Sequence, residues 1–254
     1  MRRIMIFHFG RSGSTVLQYA MNSHPDILSA GEIYTYTIEI EKKEISDPQD
    51  FSRILDTRQP VTNSGRNNKV GFFELKSGNF VNRSCHVQLS DALDVLKKQI
   101  DGVIVLQRRN ALRRIVSAEL ARMTGIYHVG VRPDPIKQGP MEKPIFPTRN
   151  LIDYATGMTG KDLLELLVKA TRRETEIVNV VKNKFDDVMF LKYEDDIENG
   201  IDPAISKIFS RYEIPMQSLS VELKKTSRGL QNDIKNFDEV DAMLRGTPYS
   251  WMVH

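Results

Sequence analysis

IMIFHFGRSGSTVLQYAMNSHPDILSAGEIY, from Ile4 to Tyr34, is the stretch whose reading decides the fold. Ile4–Phe9 is a short apolar run, the pattern of a strand buried on both faces. Gly10 and Gly13 then break it with residues that tolerate backbone angles barred to others. Ser14 or Thr15 is placed to cap a helix whose apolar positions, Val16, Leu17, Ala20 and Met21, recur at helical spacing. Strand, glycine-rich turn and helix start together aim backbone N–H groups and the positive dipole end at one point. That is an anion site, and Arg11 adds a guanidinium suited to phosphate or sulfate.

Working outward, Lys69–Leu75 (KVGFFEL), Val103–Leu106 and Val188–Lys192 (VMFLK) read as further buried strands. Between them lie helical patterns: a short one at Phe51–Asp56, Asp91–Ile100 with Ser90 as cap, one from Ala111, and Pro203–Tyr212. Lys161–Lys184 is a long scaffold helix with Leu163, Leu164, Leu167, Ala170, Ile177, Val180 and Val181 on one side. Tyr34–Asp50 is acidic and reads as a partly helical, solvated surface element, and Pro60–Asn68 as a loop. This alternation predicts an α/β fold with a central parallel sheet of four to five strands flanked by helices. At 254 residues one domain, 1–254, is expected. Residues 125–150 hold five prolines without periodicity, which predicts either a functional loop insert or a disordered one.

Hydrophobic residues make up 40% and charged residues 27%, enough for a sizeable core in an ordinary globular chain. A net charge of +3 suits a small polyanionic ligand and lacks the basic stripe of a nucleic-acid binder, so no nucleic-acid partner is expected. The lone Cys85 excludes an internal disulfide framework, fits a reducing compartment and reads as a core thiol. No stretch is long enough for a secretory h-region or a membrane span, so a cytoplasmic chain without a membrane partner is expected.

The loop fails the nucleotide-triphosphate pattern GxxxxGK[ST]: its glycines are too close, and Arg11 precedes the second glycine where a Lys should follow it. GRSGSTVL instead resembles the 5′-phosphosulfate loop of sulfotransferases that use 3′-phosphoadenosine-5′-phosphosulfate (PAPS), and SHPDILSAGEIY resembles its continuation in bacterial-type members. Two later segments follow in the family's order. In QRRNALRRIVSAELARMTG, Arg109 at a strand end and Ser117 eight residues on stand at the family's 3′-phosphate spacing. A Walker-B strand would end there in Asp to hold Mg²⁺. Arg113 and Arg114 read as solvated. SRGLQNDIKN (Ser227–Asn236) resembles the family's RKGxxGDWKN, with Ser227, Asn232 and Ile234 departing from it; Arg228 and Gly229 are the residues it would bring to the 3′-phosphate. LKYED resembles LRYEDL, which would put Tyr193 near the adenine, although a strand-edge Tyr beside acids reads equally well.

The resemblance implies a fold like that of the phosphate-loop NTPases, and PAPS as cosubstrate without a metal. The activity it implies is sulfuryl transfer to a hydroxyl, or a nitrogen, of a small-molecule acceptor such as a secondary metabolite. Arg11, Ser12, Gly13, Ser14 and Thr15 would hold the phosphosulfate. Arg11, always charged, would stabilise the leaving oxygen rather than donate a proton. Glu32, in the Ala-Gly-Glu triplet, matches the family's catalytic Glu and would act as base, its pKa raised beside the donor phosphates; the structural alternative is a helix cap. Other candidate bases are His8, which also reads as a core histidine, Glu74 and His128. Lys76 would assist the sulfuryl oxygens, or is an ordinary exposed lysine. The acids from Glu39 to Asp47 would suit a cationic acceptor, and the insert at 125–150 would cover it. A small-molecule kinase with a degenerate loop and a non-catalytic nucleotide-bisphosphate binding module remain the competing readings; oligomeric state is unreadable.

Overall fold

A computed structural model of the chain describes residues 1–58, 69–124, 163–217, 219 and 229–254. The loop at 60–68, the insert at 125–150 with His128, and Arg228 with Ser227 lie outside the described residues.

In chain order the elements are β1 (Arg2–His8), α1 (Ser14–Asn22), β2 (Ile27–Ser29), α2 (Ile33–Thr35), α3 (Pro48–Arg58), β3 (Val70–Lys76), α4 (Leu89–Leu96), β4 (Gly102–Gln107), α5 (Ala111–Thr124), α6 (Leu163–Lys184), β5 (Val188–Lys192), α7 (Tyr193–Asp196), α8 (Asp202–Arg211), α9 (Leu230–Asp233) and α10 (Phe237–Leu244). A π-helical turn, Tyr36–Ile40, continues α2, and a 3₁₀ segment, Ser77–Val81, follows β3. Among the described residues, five strands form one all-parallel sheet in the order β2-β3-β1-β4-β5. The protein is α/β, with that sheet flanked by helices. The strand absent from the sequence reading is β2, whose three residues are too few to show a period.

The described chain separates into two units: 1–109 with 176–221, and 110–175 with 222–254. In the first, β1 runs between β3 and β4 and is buried on both faces, as its apolar run requires. Ile4, Ile6, Phe72, Ile104 and Leu106 pack with Leu17, Ala20 and Met21 of α1 and Ile205, Ile208 and Phe209 of α8. Met5, Phe7, Phe73, Leu75, Val103 and Val105 pack on the other face with Phe51 and Leu55 of α3, Leu93 and Leu96 of α4, and Val178 and Val181 of α6. In the second unit, Leu112, Val116 and Leu120 of α5 pack with Leu163 and Leu167 of α6, Leu230 of α9 and Val240 and Leu244 of α10. The Asn110 side chain accepts the Arg113 N–H (2.9 Å), capping α5.

Several local expectations are corrected. Neither Ser14 nor Thr15 holds the N-cap position of α1; Gly13 does, with no side-chain cap hydrogen bond. Gln88, not Ser90, precedes α4, and the Ser90 hydroxyl bonds Asp91 instead. Tyr34–Asp50 is not simply solvated: Tyr34, Thr37, Ile38 and Ile45 are buried, and Tyr34 donates to Phe51 O at 3.0 Å. Arg114 is not solvated either, being buried in an ion pair with Glu174 at 2.6 Å, and Arg113 donates to His254 O at 3.0 Å. Buried Cys85 is the expected core thiol, and burial pushes its pKa up despite its contact with Val87 O.

Candidate functional site

The carboxyl ends of β1, β3, β4 and β5 carry the chemistry-bearing residues of the first unit, the edge where open parallel sheets bind ligands. β1 ends in the turn Gly10–Gly13. Gly10 (φ +71°), Arg11 (φ +50°) and Gly13 (φ +91°) all lie in the left-handed region, in the turn that leads into α1. Arg11 there is unusual for a residue with a Cβ. Ser12 is fully buried, and its Oγ has no hydrogen-bond partner. A buried hydroxyl left in that state inside a turn of this shape is a second feature suited to an anion.

The turn is braced from the neighbouring strands. Arg108, buried just past β4, donates to Arg11 O (3.3 Å) and lays its guanidinium over the Tyr193 ring, 4.5 Å from the centroid. That ring abuts the turn: a Cβ on Gly13 would lie 2.8 Å from Tyr193 Cδ2. Tyr193 is therefore a wall of the loop. Arg109 faces away from this brace, its guanidinium 2.5 Å from Asp195 Oδ1 and its N–H donating to Glu194 at 3.0 Å. The sequence reading assigned Arg108 no role; its contact with the loop follows from its position just past β4.

Glu32 is set by the Ala-Gly-Glu triplet, which extends β2 along β3. Ala30 N–H donates to Phe72 O (2.8 Å), and Glu74 N–H to Gly31 O (2.8 Å). Gly31 has φ +68°, a left-handed conformation that favours glycine, and a Cβ there would have to displace the Gln18 amide, 2.5 Å away. The Glu32 side chain makes no capping hydrogen bond to the α2 backbone, so the capping alternative is not realised. Lys76 Nζ lies 3.3 Å from Glu32 Oε2, and His8 Nε2 lies 3.7 Å from Oε1. Asn79 donates to Thr35 Oγ1 (3.0 Å), and the Thr35 hydroxyl bonds the Glu32 carboxylate.

Burial opposes ionisation of Glu32, but the electrostatic pull of His8 and Lys76 and the hydrogen bonds from Thr35 and Lys76 outweigh it and hold the carboxyl below its usual range. The upward shift expected from the sequence belongs to the donor phosphates, and that expectation counted neither His8 nor Lys76.

His8 and Glu74 complete the cluster. Both are buried, and His8 Nε2 stands 3.2 Å from Glu74 Oε2 without the alignment of a hydrogen bond. His8 Nδ1 accepts the Gly10 N–H at 3.2 Å, linking cluster to loop. Lys76 also borders the loop: a Cβ on Gly10 would lie 3.2 Å from Lys76 Cε. Ligand atoms of His8, Glu32 and Glu74 lie within 4.8 Å of one another, a spacing that a cation would accept. The acids that would suit a cationic acceptor are partly engaged already, Glu41 with Arg58 and Lys43, and Asp47 with Arg53.

Of the sequence-selected residues, the structure gathers Arg11, Ser12, Gly13, Ser14, Thr15, Glu32 and Tyr193 in the first unit, with Arg109 at its last position. Ser117, half-buried on α5, and Gly229, before α9, belong to the second unit. No helix among the described residues is long and apolar enough to cross a membrane. No known family model matches the chain, and no curated protein matches it.

Proposed function

We propose that the protein is a sulfotransferase moving the sulfuryl group of PAPS to a hydroxyl or nitrogen of a small-molecule acceptor, with release of 3′-phosphoadenosine-5′-phosphate. The observation that carries this reading is the adjacency, within one unit, of a left-handed anion loop and an ionised carboxylate flanked by Lys76. In this reading the phosphosulfate lies against Gly10–Thr15, and Arg11 faces the oxygen on which charge develops. Lys76 reaches the sulfuryl oxygens. Glu32 takes the acceptor proton as the acceptor atom bonds to sulfur; the S–O bond to the phosphate breaks, and its electron pair leaves on the phosphate oxygen. The proton is then on Glu32 and the new negative charge on the released nucleotide.

Buried Ser12 Oγ supports the fit, since an anion would give that hydroxyl its missing partner. Ser117, Gly229, Arg228 and Arg109 are assigned to the 3′-phosphate on the family resemblance alone. The Arg109–Asp195 pair means that this assignment requires the guanidinium to be shared.

The kinase reading is favoured by one observation, the His8–Glu32–Glu74 group, which could take a divalent cation. Against it, Lys76 already places an ammonium on Glu32. Incubation of the purified chain with ³⁵S-labelled PAPS and a panel of hydroxylated and amino metabolites tests the proposal, with a parallel arm on labelled ATP–Mg²⁺. Label transferred from PAPS is the expected result. Transfer from ATP exceeding it would establish the kinase, and tight binding of 3′-phosphoadenosine-5′-phosphate without any turnover would establish a binding module.

A further inference from the structure

His8 and Glu74 are the two buried ionisable side chains beside this site for which the proposed transfer has no use. They lie on neighbouring strands and on the same face of the sheet, His8 following Ile4 and Ile6, Glu74 following Val70 and Phe72. A side chain sealed from solvent among apolar neighbours needs its polar atoms matched, yet His8 Nε2 and Glu74 Oε1 have no hydrogen-bond partner.

The His8 ring is defined at its other end. A backbone N–H can only donate, so the Gly10 N–H at 3.2 Å requires a lone pair on Nδ1 and leaves the ring hydrogen on Nε2. That nitrogen lies near two carboxylates, 3.2 Å from Glu74 and 3.7 Å from Glu32, in hydrogen-bond alignment with neither. From these contacts we infer that His8 is a positioning residue coupling the anion loop to the base. Its Nδ1 follows the loop backbone, and its Nε2–H, unpaired here, stands within a small rotation of Glu32. Glu74 flanks the ring at 3.2 Å. The imidazole is rigid, so a change in the Gly10 amide direction on anion binding turns Nε2–H relative to Glu32. Filling of the donor site and alignment of the base thereby become one event. The inference rests on the sulfotransferase reading, in which the loop takes the donor and Glu32 the proton.

A cation held by the same three residues is the competing use of the cluster. It would require the lone pair on Nε2 and the hydrogen on Nδ1, face to face with the Gly10 N–H, and it would sit beside the Lys76 ammonium. Both features favour the coupling role.

Two substitutions separate the halves of the link. His8→Asn keeps an acceptor near the Nδ1 position and removes the donor; His8→Gln keeps a donor at the depth of Nε2 and removes the acceptor. The H8N protein should bind 3′-phosphoadenosine-5′-phosphate within about two-fold of wild type and lose roughly ten-fold in kcat at little-changed acceptor KM. The H8Q protein should weaken nucleotide binding several-fold and retain more of kcat. Equal effects of both variants on affinity and kcat would overturn the coupling. ¹⁵N NMR of the wild-type imidazole decides it without any variant: hydrogen on Nε2 supports the link. Hydrogen on Nδ1, or stoichiometric displacement of the ring hydrogen by added Mn²⁺ or Zn²⁺, overturns it. Wild-type protein that neither binds the nucleotide nor transfers label from PAPS instead refutes the sulfotransferase reading, whatever the ring shows.

Discussion

Lys76 Nζ stands 3.3 Å from Glu32 Oε2 across 44 residues of sequence, and this pair helps to hold the candidate base ionised. The two residues meet because the Ala-Gly-Glu triplet hydrogen-bonds along β3, which ends at Lys76. With His8 at the other oxygen, Glu32 is ionised despite its burial.

The pH dependence follows in sign. The folded-state pKa of Glu32 lies below its ordinary value near 4.5, so its ionised form stabilises the fold above pH 4.5. That contribution is lost as pH falls through the folded value. Lys76→Met should bring the carboxyl back up, so the variant should lose thermal stability at higher pH than wild type during acidification. The acid limb of its kcat/KM profile should move up as well. Superimposable melting curves across the acid range would refute the pairing.

Glu32→Gln removes the base and leaves the loop intact. Transfer should fall by about 10²–10⁴ in kcat while the affinity for 3′-phosphoadenosine-5′-phosphate stays near wild type. Single-turnover assay beside calorimetric binding reads both, and a variant that retains full kcat would move the role of base elsewhere.

Gly13→Ala meets two obstacles at once, φ +91° and a Tyr193 ring atom 2.8 Å from the new Cβ. A loss of about 1–3 kcal/mol in urea unfolding is expected, together with loss of nucleotide binding. Wild-type stability would mean that the turn does not need the left-handed residue.

Arg108→Met deletes the guanidinium over Tyr193 and the hydrogen bond to Arg11 O. Because Arg108 is 6% exposed, the cost should be about 1–3 kcal/mol, with Arg108→Lys recovering only part. Chemical denaturation of both variants checks the order.

Arg109 is half-exposed and paired with Asp195, so Arg109→Ala and Asp195→Asn should each change stability by less than about 0.5 kcal/mol. Their effects on nucleotide affinity should be opposite: R109A weakens binding, and D195N, by releasing the guanidinium, strengthens it. Isothermal titration at fixed salt reads both, and no change in either would remove Arg109 from the site.

Much of the fold was legible because its signals are local. The apolar runs of β1, β3, β4 and β5 and the stripe of α1 are short-range patterns that survive folding unchanged. Ser14 as a cap was a misreading, since glycine at the N-cap serves a turn that must already be left-handed. β2 was too short to read, and Tyr34 was assigned to a polar stretch although its ring is wholly buried. For the site, Glu74 and His8 were visible as lone ionisable residues in apolar runs, the one signal that marked them.

By itself the sequence determined the strand–turn–helix at the amino-terminal end and the parallel α/β class, because residue period and glycine freedom act over a few neighbouring residues. Only the tertiary structure decided that Arg108 braces the loop, and that His8, Glu32, Glu74 and Lys76 converge on one point. Those choices depend on which strands pair and in what register, and here β1 beside β3 joins residues that no local pattern connects.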